Sequence, residues 1–335
     1  GVGVVANIPG NRSHEIIDKG LDVLKNLAHR GACGCDPETG DGAGILIQMP
    51  HEFFSKVAKE SRIKLPKAGS YAVGMTFLPR EEGPCRATEN AVETATEQQQ
   101  LKFLGWRNVP VNPAAIGTLS RQVMPVIKQF FIGAPDGLIG KDFEKKLYLV
   151  RKETEKIVLE LAKTRDLPAF QDFYVCSLSA MTVVYKGLIM AKQIRDFYPD
   201  LSDESIATCF AIVHSRFSTN TLGAWKLAHP YRMLAHNGEI NTIRGNRNWM
   251  ATREAMVKSV LFGESMSRIA DICEQETSDT TSFDNVFELL YMAGRDVEHA
   301  MSMMIPEAWY RHESMSKNIR DFYDFHSCLM EPWDG

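Results

Sequence analysis

Apolar residues at positions 17, 21, 24 and 28 recur at spacings of three and four, which predicts an amphipathic helix stopped by Gly31. Ser13 stands where the N-cap of that helix belongs, and Glu15 falls in its first turn, where a carboxylate suits the positive end of the helix dipole. Ahead of it, residues 2–8 are β-rich and end at Pro9-Gly10, a turn signal. Short apolar runs predict further strands at 43–49, 71–78, 123–132, 174–178, 182–185, 209–214 and 233–236. Longer periodic stretches predict helices at 51–60, 87–103, 141–164, 246–260, 282–293, 296–304 and 315–329. The strands come in clusters and do not alternate with helices, which favours one α+β domain with several antiparallel strands over two βαβ domains. No internal repeat, low-complexity run or linker interrupts the pattern.

Composition narrows the class. The 335 residues are 44% hydrophobic and 24% charged, close to the globular average. That excludes a disordered tail, a fibre or a coiled coil. Thirty-eight basic and 42 acidic residues leave a net charge of −4, with no basic footprint for nucleic acid or an anionic membrane. No stretch approaches the length of a membrane span, and no signal peptide opens the chain. The seven cysteines lack a spacing framework and read as reduced thiols, which points to cytoplasm or an organelle stroma. The opening on an apolar strand without Met, and the close on Glu331-Pro-Trp-Asp-Gly335, read as a piece of something longer.

Three phrases carry more polar and conformationally special residues than a plain core needs. The first runs from His29-Arg-Gly-Ala-Cys-Gly-Cys-Asp36 into Gly40-Asp-Gly-Ala-Gly44. Cys33 and Cys35 invite a metal, but structural zinc takes four ligands and no second pair answers them. A phosphate cradle wants strand, loop, then helix, and here the loop opens into a strand. A tight glycine turn with a buried Arg30 is the plain reading. The second phrase is His214-Ser-Arg-Phe-Ser-Thr-Asn-Thr221, at the end of an apolar strand. The planar fork of Arg216 suits a carboxylate held bidentately, and a structural ion pair is the alternative. The third is His236-Asn-Gly-Glu-Ile-Asn241, where Asn237-Gly238 is either a hairpin turn or two donors aimed at one oxyanion. A weaker fourth phrase, Ser278-Asp-Thr-Thr-Ser-Phe-Asp284, reads as a helix cap, although Asp279 suits an ammonium group equally.

Taken together, HRGACGCDPETGDGAGI, HSRFSTNT and HNGEINT, in that order, resemble the glutaminase domain of glutamate synthases, a branch of the class II glutamine amidotransferases whose nucleophile is N-terminal. The long stretch between the first two phrases is similar to the same branch. The resemblance implies one domain over residues 1–335 with the N-terminal-nucleophile αββα sandwich, two antiparallel sheets flanked by helices, continuing past residue 335. It implies that Arg216 grips the α-carboxylate of glutamine, Asp279 holds the α-ammonium, and Asn237 with Gly238 forms the oxyanion hole. Arg30, Phe217 and Thr219 then line the pocket.

The nucleophile implied by the resemblance is a cysteine immediately before Gly1. No cysteine in the sequence replaces it by motif, so the chain as written is expected to bind glutamine without hydrolysing it. The thiol would attack the amide carbon while its own α-amine, titrating near about 7.7–8.0, relays the proton. No cofactor is expected in these residues. The full enzyme implied has FMN and a 3Fe-4S iron–sulfur cluster downstream, FAD where an NAD(P)H-oxidising subunit is present, or ferredoxin as electron donor, an oligomeric state, and 2-oxoglutarate as ammonia acceptor. Two alternatives stay open at this point: the amidotransferase domain of another ammonia-using synthetase, and a non-catalytic glutamine-binding module.

Overall fold

The computed structural model describes the chain apart from residues 31–35, 165–167, 217–222, 255, 264–265, 267–268, 270, 274–276 and 335 and the side chains of 29 and 30. In chain order the elements are β1 (Val2–Ala6), α1 (Glu15–Asn26), β2 (Ala43–Gln48), α2 (His51–Glu60), β3 (Tyr71–Leu78), α3 (Glu82–Gln98), β4 (Lys102–Asn108), α4 (Thr118–Gln122), β5 (Val126–Gly133), α5 (Gly140–Thr164), β6 (Tyr174–Ser179), β7 (Thr182–Gly187), α6 (Ile194–Phe197) and β8 (Phe210–Ser215). Then follow α7 (Ile243–Glu254), α8 (Asp279–Met292), α9 (Val297–Met304) and α10 (Lys317–Ser327). Contacts divide the chain into two compact units, Gly1–Asn237 and Gly238–Gly335.

The first unit holds two four-stranded antiparallel sheets, in the orders β1-β8-β2-β7 and β4-β5-β3-β6. This is the pair of antiparallel sheets expected of the αββα class. One core joins Ile17 and Leu21 of α1, Phe54 of α2, Ile45 and Val213 of the first sheet, and Val73 and Phe131 of the second. A second core lies under α3 and α5, where Val92, Phe143 and Leu147 meet Phe130 and Ile132. A buried polar network links the sheets. Arg107 of β4 makes a bidentate pair with Asp200 at 2.8 Å for both bonds and donates to Gln129 of β5. The hydroxyl of Tyr185 in β7 donates to the same Asp200 carboxylate at 3.1 Å. Asp200→Asn leaves that guanidinium buried without its counter-charge, and a loss of about 3–5 kcal/mol in urea unfolding is expected. An unchanged midpoint would show that the pair does not hold the sheets.

Three local expectations differ from the structure. Ser13 does not cap α1. Its N–H and C=O pair with Thr208, and His14 takes the N-cap position without a side-chain bond. The helix expected over 87–103 ends at Gln98, and Lys102–Asn108 is the edge strand β4, where a bulge between Phe103 and Gly105 breaks the alternation of period two. The strand expected at 233–236 does not form. The Tyr231 N–H bonds Leu234, Arg232 reaches the Tyr174 hydroxyl and the Val175 carbonyl, and the His236 carbonyl is taken by a side chain, so no ladder is left to build.

The second unit is helical. Ser278 caps α8 by accepting from the Thr281 N–H, and Arg247 of α7 clamps the same turn through Thr277, Ser278 and Ser282. Phe283 of α8 meets the ring of Trp333, a residue that is 1% exposed and whose backbone N–H bonds the Met304 carbonyl at 2.7 Å. The phrase around Trp333 is therefore core in this unit. Among the described residues no helix is long and apolar enough to cross a membrane, and Cys85, Cys176, Cys209, Cys273 and Cys328 form no disulfide.

Candidate active site

The candidate residues of the first unit grow out of the β1/β8 pair. Val2 lies opposite His214, and Gly1 and Ser215 exchange both backbone hydrogen bonds. Arg216 follows directly. Its N–H bonds the Gly42 carbonyl, its Nη1 reaches the Asp41 carbonyl at 3.4 Å, and it is 5% exposed. The guanidinium thus leaves a buried strand end, as the sequence predicts.

Glycines make the floor. His214, Gly44 and Lys186 lie in one row across β8, β2 and β7. A side chain at Gly44 would collide with the His229 carbonyl oxygen, and at Gly42 (φ +135°) a Cβ would stand 2.9 Å from the Ala228 Cβ. Their absence lets the 228–231 segment lie directly on the sheet. This is the physical content of the Gly-Asp-Gly-Ala-Gly phrase, which sequence alone reads as a turn.

On that floor three histidines gather, which sequence reasoning missed. His214 and His229 stack with ring centres 4.2 Å apart, and His236 stands 5.9 Å from His229. The Nε2 of His214 bonds the His236 carbonyl at 2.8 Å, and the Asn237 side chain is close enough to act on the same imidazole. A carbonyl can only accept, so Nε2 carries the proton. The alternation along β8 was the available signal for His214, since it puts residue 214 on the face of residue 216. Nothing in the sequence marked His229.

The stack is neutral. Burial pushes the His214 imidazole down to about 4, and His236 pushes the same way. Burial first, then His214, Lys186, His236 and Arg216, hold His229 well below its ordinary value. The unfolded chain therefore takes up protons before the folded one does. The stability contributed is complete above about pH 6.5 and is lost as pH falls toward 4, a difference of about 3 kcal/mol for His214 alone. Urea unfolding of the chain between pH 7 and 4.5 should show this acid slope, and it should be shallower in His214→Phe. Equal slopes in the two proteins would contradict the assignment.

The second unit holds Asp279 and Gly238. Asp279 is the first residue of α8. Its Oδ2 accepts from the Ile240 N–H at 2.9 Å, and its Oδ1 accepts from the Thr280 N–H and hydroxyl. Asp279 thereby braces the segment that starts at Gly238. A carboxylate has about four lone-pair sites, so room is left for one further donor. No strand flanks Asn237-Gly238 on either side, so the pair is not a hairpin turn. Phe217 and Thr219 lie outside the described residues, as do Cys33, Cys35 and the side chain of Arg30. Among the described residues no three His, Cys, Asp or Glu side chains gather into a cluster that could hold a metal.

The sequence profile described as "Glutamine amidotransferases class-II" matches residues 1–335. The glutamate synthase [NADPH] large chain of Bacillus subtilis (strain 168) is 47% identical over 336 residues, which is 100% of this chain and 21% of that one. The glutamate synthase [NADPH] large chain of Azospirillum brasilense is 40% identical over 339 residues, 100% of this chain and 22% of that one. Ferredoxin-dependent glutamate synthase 1, chloroplastic/mitochondrial, of Arabidopsis thaliana is 38% identical over 338 residues, 100% of this chain and 20% of that one. The chain spans about a fifth of the length of these curated relatives.

Proposed function

The chain belongs to the class II glutamine amidotransferases, and on that premise we propose that it is the glutaminase part of a glutamate synthase, hydrolysing L-glutamine to glutamate and ammonia. The observation that carries the reading is the β1/β8 register. Gly1 and Ser215 form a hydrogen-bonded pair, so a residue ahead of Gly1 would fall opposite Arg216. That next pair would be of the non-hydrogen-bonded kind, with Cα atoms about 4.5 Å apart and side chains closest. A cysteine there would put its thiol beside the guanidinium that grips the α-carboxylate of an amino acid.

The chemistry follows from those parts. The thiol gives its proton to the α-amine of the same residue and attacks the side-chain amide carbon, forming a C–S bond and an oxyanion. The Asn237 amide and the Gly238 N–H are the donors assigned to that oxyanion. The ammonium proton passes to the leaving nitrogen, the C–N bond breaks and ammonia departs. Water then attacks the thioester, releasing glutamate and restoring the thiol. Asp279 is assigned the α-ammonium, and Arg30, Phe217 and Thr219 the pocket wall.

The relatives are named glutamate synthases that use NADPH or ferredoxin, and a downstream reductive half-reaction on 2-oxoglutarate, fed by NAD(P)H or ferredoxin, is part of the proposal. FMN, the 3Fe-4S cluster and any FAD are assigned, on the resemblance to glutamate synthases, to other parts of such an enzyme. L-glutamine and those parts are the proposed partners, in cytoplasm or plastid stroma. The test is the full-length enzyme assayed for ammonia release from glutamine. Release that depends on a thiol ahead of Gly1 supports the reading, and a full-length enzyme that uses ammonia but never glutamine overturns it.

A further inference from the structure

We infer that His214 is a positioning residue for the oxyanion donor: through its Nε2–H to the His236 carbonyl, backed by the stacked His229, it fixes the peptide that leads into Asn237. The inference rests on the glutaminase reading above for its catalytic meaning, and on geometry of the first unit for its substance.

Asn237 has no strand or helix to hold it. Residues 232–240 are irregular, so the orientation of its amide depends on what grips the neighbouring backbone. The His236 carbonyl, which belongs to the peptide bond joining His236 to Asn237, is gripped by His214 at 2.8 Å. His214 is itself fixed from three sides. Its backbone lies inside β8, between Val2 of β1 and Gly44 of β2. One ring face is covered by His229 at 4.2 Å, and His229 is in turn set edge-on against Tyr231, centre to centre 4.7 Å. Gly44 is what admits His229, since any side chain there would collide with the His229 carbonyl.

The Nδ1 atoms of His214 and of His229 are buried and have no hydrogen-bond partner among the described residues. An imidazole kept only for packing would cost less as Phe or Leu, because a buried polar atom left unpaired costs free energy. The retained nitrogen is the one that holds the carbonyl. A preorganised donor needs such support, because a small misplacement is enough to lose much of an oxyanion contact.

The test compares His214→Phe, which keeps a ring for the stack and loses the N–H, with His214→Gln, whose side-chain amide can still donate from nearly the same place. In the full-length enzyme, His214→Phe should lower kcat for glutamine by about 10-fold to 10²-fold with KM little changed, since a single oxyanion donor is worth about 10²–10³ when removed outright. His214→Gln should recover most of that loss, and the rate with ammonia should not move in either variant. Crystal structures of the parent and both variants supply a readout that needs no turnover. The Asn237 amide should be displaced in His214→Phe and in its parent position in His214→Gln. An unchanged kcat and Asn237 position in His214→Phe, or equal losses in the two variants, would overturn the inference. A parent enzyme inactive on glutamine would overturn the glutaminase reading, and the Asn237 displacement would then still decide whether His214 holds this peptide.

Discussion

Alanine in place of the cysteine proposed ahead of Gly1 should lower glutamine-dependent glutamate formation by about 10⁴-fold or more in the full-length enzyme, because loss of a nucleophile leaves only binding and oxyanion donors to act. The rate with ammonium salts should stay at its parent value, since that route bypasses the thiol. Parallel steady-state assays with the two nitrogen sources check both halves. An enzyme equally active on glutamine without the thiol would rule out covalent catalysis at the strand end, and loss of both activities would indicate damage outside this site.

Arg216→Ala should act on the same reaction through binding. The guanidinium is almost fully buried at the end of β8, with its backbone tied to Gly42. A ligand carboxylate held there would lose a desolvated, charge-assisted contact, worth about 2–5 kcal/mol when one partner is truncated. The expected effect is a fall of about 10²–10³ in kcat/KM for glutamine, mostly as a higher KM. Arg216→Lys should recover little, because an ammonium cannot present the two parallel donors of the fork. Activity with ammonia should again be unaffected. A KM for glutamine within threefold of the parent would remove Arg216 from the binding role.

Much of this was readable in the sequence. The apolar runs at 43–49, 71–78 and 209–214 give their strands because a strand buried in a sheet is written as continuous apolar residues. Arg216 was readable because it follows such a run closely, which puts its charge at a strand end. What escaped has a common cause. β4 is an edge strand whose bulge at Gly105 breaks the alternation, and the histidine stack joins residues 214, 229 and 236 through tertiary contact alone. The glycines at 42 and 44 were visible, yet their meaning lies in which segment crosses above them. Asp279 shows the opposite case. Its phrase announced a capped helix, and α8 has that cap at Ser278, while the bond from Ile240 to the Asp279 carboxylate could come only from the fold.

The central claim is that a thiol at the start of the chain, beside Arg216, takes the acyl group of glutamine. Rapid acid quenching of the full-length enzyme during glutamine turnover, followed by mass spectrometry of the N-terminal peptide, measures it most directly. A glutamyl group attached to the sulfur of the residue ahead of Gly1, absent when ammonia replaces glutamine, is the predicted result. Glutamine consumed with no such adduct at saturating substrate, or an adduct on another residue, would contradict the account.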